Sequence, residues 1–368
     1  MRRSMIYRVG IIGCGRMGGT IDDEVTDWSL PDFVLPYGHV NGYAAVPETQ
    51  VVAAADVDGE KLNRWCDRFG VPQRYTDFRD MILKEGLDIV SVTTGSSRRS
   101  EPILFASDHG VRGIYAEKPL CASVQELDTV VETCRRNGTH LAYGAMRRYW
   151  AGFETARRVI ESGQLGPPRA VVYAATNAKR TSCHVLHGGS HFVDVLMYML
   201  GDPEPAWVQA ELNDHGGGDI KATEGADGGL RVEQDPVIVS ATVGFDNGTR
   251  MVFTDLCDGE MEVTCERGIL RGWGDSSGYR MRRLVGTPWS GDWVWEDVSF
   301  PAWKGHSGTV AIIRDLIRSI ETGRPGRSNV EIARRGMEIL FGMVVSQRRG
   351  GVRVNLPLED RKISVHSA

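Results

Sequence analysis

The chain lacks any apolar run approaching the roughly 20 residues that cross a bilayer, which argues against a membrane-spanning helix. It also lacks a dominant charge. Lys and Arg number 43 against 48 Asp and Glu, a net −5 over 368 residues, so no global field draws nucleic acid or an anionic membrane surface. Its seven cysteines (Cys14, Cys66, Cys121, Cys134, Cys183, Cys257 and Cys265) include no Cys-x-x-Cys pair and are odd in number. Reduced thiols in a cytoplasmic protein are the simplest account. No internal repeat is present. With 41% hydrophobic and 25% charged residues, the composition disfavours disorder, collagen-like repeats and coiled coil.

What is present is organised. At about 150 residues per domain the length suggests two domains. The charged and then apolar beginning is brief and runs straight into a glycine motif, so residues 6–12 read as a first strand and not as a leader. Strands are expected at 51–55, 89–93, 111–115 and 140–143, with helical patterns at 59–69, 77–85, 99–109 and 123–137 between them. That alternation means a parallel sheet with helices on both faces. After residue 146 the pattern changes. A helix at 150–162 precedes strand-like runs at 169–176, 205–212, 237–244, 249–256, 260–265 and 269–273, and Asn247-Gly248 is a hairpin turn between two of them. Helices return at 307–322 and 329–348. The Gly-, Asp- and Glu-rich stretch 213–236 reads as a mobile loop, and 23–36 as an excursion in the first βαβ unit. The division expected is 1–146 and 147–368.

Gly13-Cys14-Gly15-Arg16-Met17-Gly18 directly follows the first strand. Glycines in this pattern allow a tight turn, a close approach of backbone to a pyrophosphate, and helix packing on the strand; the following helix N-terminus offers N–H groups to phosphates. Asp56 closes the second strand, where a carboxylate can accept from ribose hydroxyls. Val57 and Asp58 follow it, with no Arg or Lys to pair with a 2′-phosphate, which favours NAD over NADP. The fold class is therefore α/β: an N-terminal Rossmann doubly wound parallel sheet, then a C-terminal α+β domain with a large, mostly antiparallel sheet.

Ala116-Glu117-Lys118-Pro119-Leu120, with the glycine loop upstream, resembles the Glu-Lys-Pro motif of the glucose–fructose oxidoreductase and inositol dehydrogenase family (Gfo/Idh/MocA). Thr94-Gly95 with Arg99 is similar to a family segment that usually reads Thr-Pro and then His. Arg147-Arg148-Tyr149 is similar to the entry into the second domain, Gly189 to Asp194 to the helix carrying the catalytic histidine, and 329–357 to the C-terminal end. The resemblance implies that Gly13 to Gly18, Asp56, Thr94, Gly95, Glu117, Lys118 and Arg147 meet the cofactor. It implies that Lys118 bonds the substrate hydroxyl being oxidised, directed by Pro119 through a peptide bond that is often cis in the family. His191 would be the general base. The family's usual Asp four residues earlier is His187 here, so the role of orienting the imidazole is vacant or filled elsewhere; His187 would touch substrate or relay the proton. Asp194 lies on the His191 face. Tyr149, Trp150, Asn177, Lys179, Arg180 and His306 are weaker candidates for the substrate pocket.

A competing reading of Cys183, His184, His187 and His191 is metallic, but Gly188-Gly189 interrupts the helix where a preformed site needs rigidity, so no metal is assigned. Trp273, Trp289, Trp293, Trp295 and Trp303 cluster late in the chain, for packing between sheets or subunits or for stacking on a sugar ring. The leading expectation is an NAD-dependent dehydrogenase acting on a secondary hydroxyl of a sugar, sugar derivative or cyclitol, as a homodimer or homotetramer through the C-terminal sheet. A glycoside-cleaving enzyme using transient oxidation, a non-catalytic NAD-binding regulator and a metal enzyme are the alternatives.

Overall fold

The computed structural model describes residues 6–25, 34–176, 183–214, 217–258, 260–286 and 293–366. Six strands, β1 (Tyr7–Ile12), β2 (Thr49–Ala55), β3 (Gln73–Tyr75), β4 (Ile89–Val92), β5 (Gly113–Ala116) and β6 (His140–Tyr143), form a wholly parallel sheet in the order β3-β2-β1-β4-β5-β6. The order reverses between β1 and β4, and ligands of doubly wound sheets bind at the strand carboxyl ends beside such a switch. Apart from Arg8, β1 is buried along its length, as a central strand covered on both faces must be.

Six helices surround this sheet: α1 (Ile21–Glu24), α2 (His39–Ala44), α3 (Gly59–Phe69), α4 (Phe78–Glu85), α5 (Ser100–Asp108) and α6 (Val124–Asn137). Their ends follow capping chemistry. Ser123 and Glu126 make a reciprocal capping box on α6, and Gly138 takes the left-handed position after it. The first helix departs from expectation: a π-helical turn at Arg16–Thr20 leads into a single α turn, which keeps the glycine loop compact. Asp22 then accepts from the Tyr37 and Gly38 amides at 3.0 and 2.6 Å, so the excursion returns to the sheet at a fixed point.

The second half contains α7 (Ala151–Glu161), β7 (Pro168–Thr176), α8 (Gly189–Leu200), β8 (Pro205–Asn213), β9 (Ala222–Glu224), β10 (Leu230–Val232), β11 (Val237–Phe245), β12 (Arg250–Asp258), β13 (Met261–Cys265), β14 (Gly268–Trp273), β15 (Gly278–Val285), β16 (Val294–Val298), α9 (Gly308–Thr322), α10 (Val330–Arg348), β17 (Val354–Asn355) and β18 (Ile363–Val365). Nine of these strands form one sheet, β16-β15-β14-β13-β7-β12-β11-β8-β17, antiparallel except where β7 pairs with β12. Helix α9 returns to pack on β5 and β6, and α10 spans both halves through α6 and β8.

Two expectations are corrected. The stretch 213–236 is not simply a loop: within its described part, β9 pairs with β10, and β10 pairs in turn with the C-terminal β18. The sheet also extends beyond residue 273 through β15 and β16. Strand β16 was invisible because its residues are almost all exposed and so carry no alternation. Exposure also separates the late tryptophans. Trp273, Trp293 and Trp295 are open to solvent in the single chain, with Arg282 over the Trp295 ring, whereas Trp303 packs against Tyr279 and Phe300. Trp289 lies outside the described residues.

Candidate active site

The glycine loop sits at the end of β1 with the geometry a pyrophosphate needs. A Cβ on Gly18 would stand 2.5 Å from the Gly13 carbonyl oxygen, and Gly13 has φ +101° against Thr93, whereas a Cβ on Gly15 would meet no atom within 4 Å. The loop is tight underneath and open above, a cradle that fits a dinucleotide. The Cys14 amide donates to Asp56 Oδ2 at 2.8 Å, tying the loop to the end of β2. Arg16 is engaged by Glu24, and Met17 is half-buried against the core.

One expectation about Asp56 is overturned. A cation is present: Lys61, on the first turn of α3, places Nζ 2.7 Å from Asp56 Oδ2. The helical return over five residues brought it there, which the two residues after Asp56 did not disclose. The case for NAD therefore rests on the Asp56 carboxylate itself, not on the lack of a cation beside it.

At the end of β5 the Lys118–Pro119 bond is cis. Arg99, 4% exposed, donates to the carbonyls of Pro119 and Thr94, so the Thr94-Gly95 turn and the lysine segment are latched together. Glu117 is buried and bonds His39 Nε2 at 3.1 Å, while His39 Nδ1 meets Ser91 Oγ at 2.5 Å and its ring stacks on Tyr115. Burial raises the Glu117 pKa, but the His39 hydrogen bond and charge, with Lys118 and Arg99, leave it below the ordinary carboxylate range. Glu117 is thus an anchor beneath the site, and His39 is a partner that no local motif announced.

Lys118 is partly buried and donates from Nζ to the His187 carbonyl at 3.1 Å. Desolvation lowers its pKa to about 8, opposed by Glu117 and Asp235 and assisted by Arg99 and Arg147. His187 lies before α8, with its side chain exposed, and His191 lies in the helix's first turn, where its amide donates to Gly188. His187 therefore does not hold the helical position from which a carboxylate could steer His191. Asp194 does not steer it either: it is buried and paired with Arg148 at 2.8 Å. The carboxylate beside this turn is Asp235, whose oxygens accept from the Leu186 and His187 amides at 2.8 Å each.

Arg147 turns into the interior over the Phe192 ring and is held by Asp275 through Nε at 2.7 Å and Nη2 at 2.5 Å. Asp275 and Ser276 both have positive φ, in the β14–β15 connection. Tyr37 is influenced by Arg147, Glu117 and Asp275, and burial pushes its phenol up to about 12.

Two other expected pocket residues, Tyr149 and Trp150, are buried in packing. Tyr149 is fully buried, donating to Asp315 at 2.8 Å and accepting from the Ser328 amide at 3.0 Å, so its hydroxyl serves packing within the second half. Trp150 is 2% exposed and packs by Arg147, Phe153 and Gly308. His306 lies 3.9 Å from Glu154. Asn177, Lys179 and Arg180 lie outside the described residues. Among the described residues no group of three or more His, Cys, Asp or Glu is arranged to hold a metal ion, and no helix is long and apolar enough to cross a membrane.

Residues 7–145 match the model of an oxidoreductase family with an NAD-binding Rossmann fold. The inositol 2-dehydrogenase of Salmonella typhimurium is 23% identical over 206 residues, 54% of this chain and 56% of that protein. The chain matches about half the length of the curated relatives it resembles. Among solved structures, an NAD-binding oxidoreductase from Klebsiella pneumoniae superposes with a TM-score of 0.73 at 18% identity, covering 96% of this chain and 100% of that one. The WlbA dehydrogenase from Chromobacterium violaceum, in complex with NADH and UDP-GlcNAcA, superposes with a TM-score of 0.70 at 18% identity, covering 98% of each. At these identities the structural likeness is one of fold.

Proposed function

We propose that the chain, whose residues 7–145 match the NAD-binding Rossmann domain of the Gfo/Idh/MocA oxidoreductase family, oxidises a secondary hydroxyl of a sugar, sugar derivative or cyclitol. The observation that carries this reading is the contact between Lys118 Nζ and the turn that bears His187 and His191. A lysine at the cofactor domain's strand end reaches the backbone of the segment of the second half that carries these histidines. The substrate classes named for the relatives, inositol and UDP-GlcNAcA, support it.

NAD, when bound, supplies the hydride acceptor. The protein's part is to bind and to move a proton. The Lys118 ammonium donates to the substrate oxygen and stabilises its negative charge as the proton leaves. His191 takes that proton as general base, and His187, exposed at the rim, contacts substrate. Arg147, neutralised by Asp275, walls the pocket on the side of Phe192. Because the ammonium form is required, kcat/KM falls as pH rises through about 8. The mixed sheet, with exposed Val172 and the outward tryptophans, is the face through which we read a homodimer or homotetramer.

The test is a panel of sugars, glycosides and inositols with NAD, read at the NADH absorbance. Stoichiometric NADH with one substrate supports the reading; bond cleavage without NADH accumulation replaces it with the transient-oxidation route. His191→Ala lowers kcat about 10²–10⁴-fold with NAD affinity unchanged; undiminished turnover removes His191 from its role.

A further inference from the structure

The family resemblance anticipates a carboxylate at position 187, and the chain has histidine there. We infer that Asp235, delivered by the insert between β8 and β11, is the positioning residue that replaces it, acting on the 184–191 turn through the backbone. Its two oxygens take the consecutive amides of Leu186 and His187, both at 2.8 Å, and the next carbonyl along, that of His187, accepts from Lys118. Amide-to-carboxylate bonds are charge-assisted and stronger than neutral ones, so the carboxylate sets where that carbonyl points. Asp235 is 8% exposed, which strengthens both bonds by excluding water.

The placement of Asp235 is over-determined. Val185 donates to the Pro236 carbonyl at 2.8 Å, Ile238 donates to the Cys183 carbonyl at 2.9 Å, and His184 bridges Val237, making a short antiparallel seam immediately after it. Upstream, β10 pairs with β18, and β18 in turn is fastened to the cofactor half. Val365 donates to the Ala122 carbonyl, and Arg361 grips Asp128 of α6 at 2.8 Å. Ala122 lies four residues past Lys118. The insert and the C-terminal strand therefore clamp the lysine segment and the histidine turn from one continuous piece of structure.

The charges that act on Lys118 are Glu117 on its own segment, Arg99 from the turn before α5, Arg147 from the start of the second half and Asp235 from the insert. Of the carboxylates, Asp235 is the one that comes from the second half. Its negative charge supports the ammonium form, so neutralising it lowers the Lys118 titration midpoint further.

The inference rests on the role given to Lys118, and the test separates the two without needing a substrate. The chain has seven lysines, few enough for reductive methylation with ¹³C-formaldehyde and titration of each dimethylamino signal by NMR, with Lys118→Arg assigning the signal. In the wild type one signal titrates near 8, and in Asp235→Asn its midpoint falls by roughly half a unit to one unit. Asp235→Glu, which keeps the charge, restores the midpoint toward the wild type. An unmoved midpoint in Asp235→Asn overturns the inference, as does equal disturbance by Asn and Glu, which reduces Asp235 to a folding role. A wild type with no lysine titrating below the ordinary range overturns the role of Lys118 and this inference with it.

Discussion

The parallel half and the mixed-sheet half reach the same site by different routes. In the parallel half, the glycine loop, Asp56, Thr94 and Lys118 all stand within a few residues of the carboxyl ends of β1, β2, β4 and β5, so a rule of strand position collects them. In the mixed-sheet half the contributors are the 184–191 turn, Asp235 and Asp275, on separate connections of a large sheet, joined by bonds such as Arg147–Asp275 that span 128 residues of sequence. The cofactor cradle is a local property of its chain segment; the proton-handling side exists only once distant segments have closed on it.

The largest effect expected lies inside the mixed-sheet half, just after the chain enters it. Arg148 is fully buried, bonded to Asp194 at 2.8 Å, to Asp202 at 3.1 Å and to the Arg327 carbonyl at 2.9 Å. Burial raises the Asp194 pKa to about 6, even with Arg148 beside it. Arg148→Met leaves that carboxylate buried and uncompensated, a loss of about 3–5 kcal/mol in urea unfolding followed by tryptophan fluorescence. The pH dependence has a definite sign. A folded pKa above the ordinary value means the native state holds more protons than the unfolded one, so stability falls as pH rises from about 4 through 6. The variant's deficit is therefore larger at pH 8 than at pH 5. A deficit confined to one of two separate unfolding transitions would break the comparison, by showing that the halves do not need each other.

Next in size is a change that touches the cradle alone. Gly18→Ala puts a methyl 2.5 Å from the Gly13 carbonyl oxygen, a backbone atom that cannot rotate away. Overpacking of about 1–3 kcal/mol, expressed as loop distortion, weakens NAD binding roughly 10- to 100-fold by titration calorimetry. Set beside His191→Ala, which lowers turnover and leaves the cofactor dissociation constant alone, it sharpens the division of labour. Should Gly18→Ala bind NAD as the wild type does, the loop is not the pyrophosphate seat.

What was legible in the chain follows the same division. Strand ends, the Ser123–Glu126 capping box, the glycine loop and the Lys118 segment all carry their signal within a few residues, and the fold places them where local reasoning does. His39, Lys61, Asp235 and Asp275 carried none. Each acts through a partner 5 to 128 residues away, and pairing at such separations leaves no periodicity to read. Tyr149 misled for the opposite reason. Its neighbours in sequence line the site, but the 3₁₀ turn at Met146–Tyr149 sends Arg147 to Asp275 and the Tyr149 hydroxyl to Asp315. The short β9, β10 and β16 have too few inward residues to alternate.

The smallest effect asks whether the meeting point of the halves is kept at a cost to stability. Desolvation takes Lys118 from an ordinary 10.5 to about 8, so the folded chain binds fewer protons than the unfolded one between those values, and stability rises with pH across that window. Below about 8 the cost of burying the ammonium is present in full. Lys118→Met removes the charge and keeps the aliphatic stem, so it gains about 1–2 kcal/mol at pH 7, allowing for the partial exposure of the side chain, while turnover is lost. Thermal unfolding at pH 7 and pH 10 checks both size and sign: the methionine variant melts higher at pH 7 by a few degrees, and its advantage shrinks at pH 10. A variant that melts lower than the wild type at both pH values would mean that the bond to the His187 carbonyl outweighs desolvation. Lys118 would then be part of what holds the two halves together, and not a charge that their closure has to accommodate.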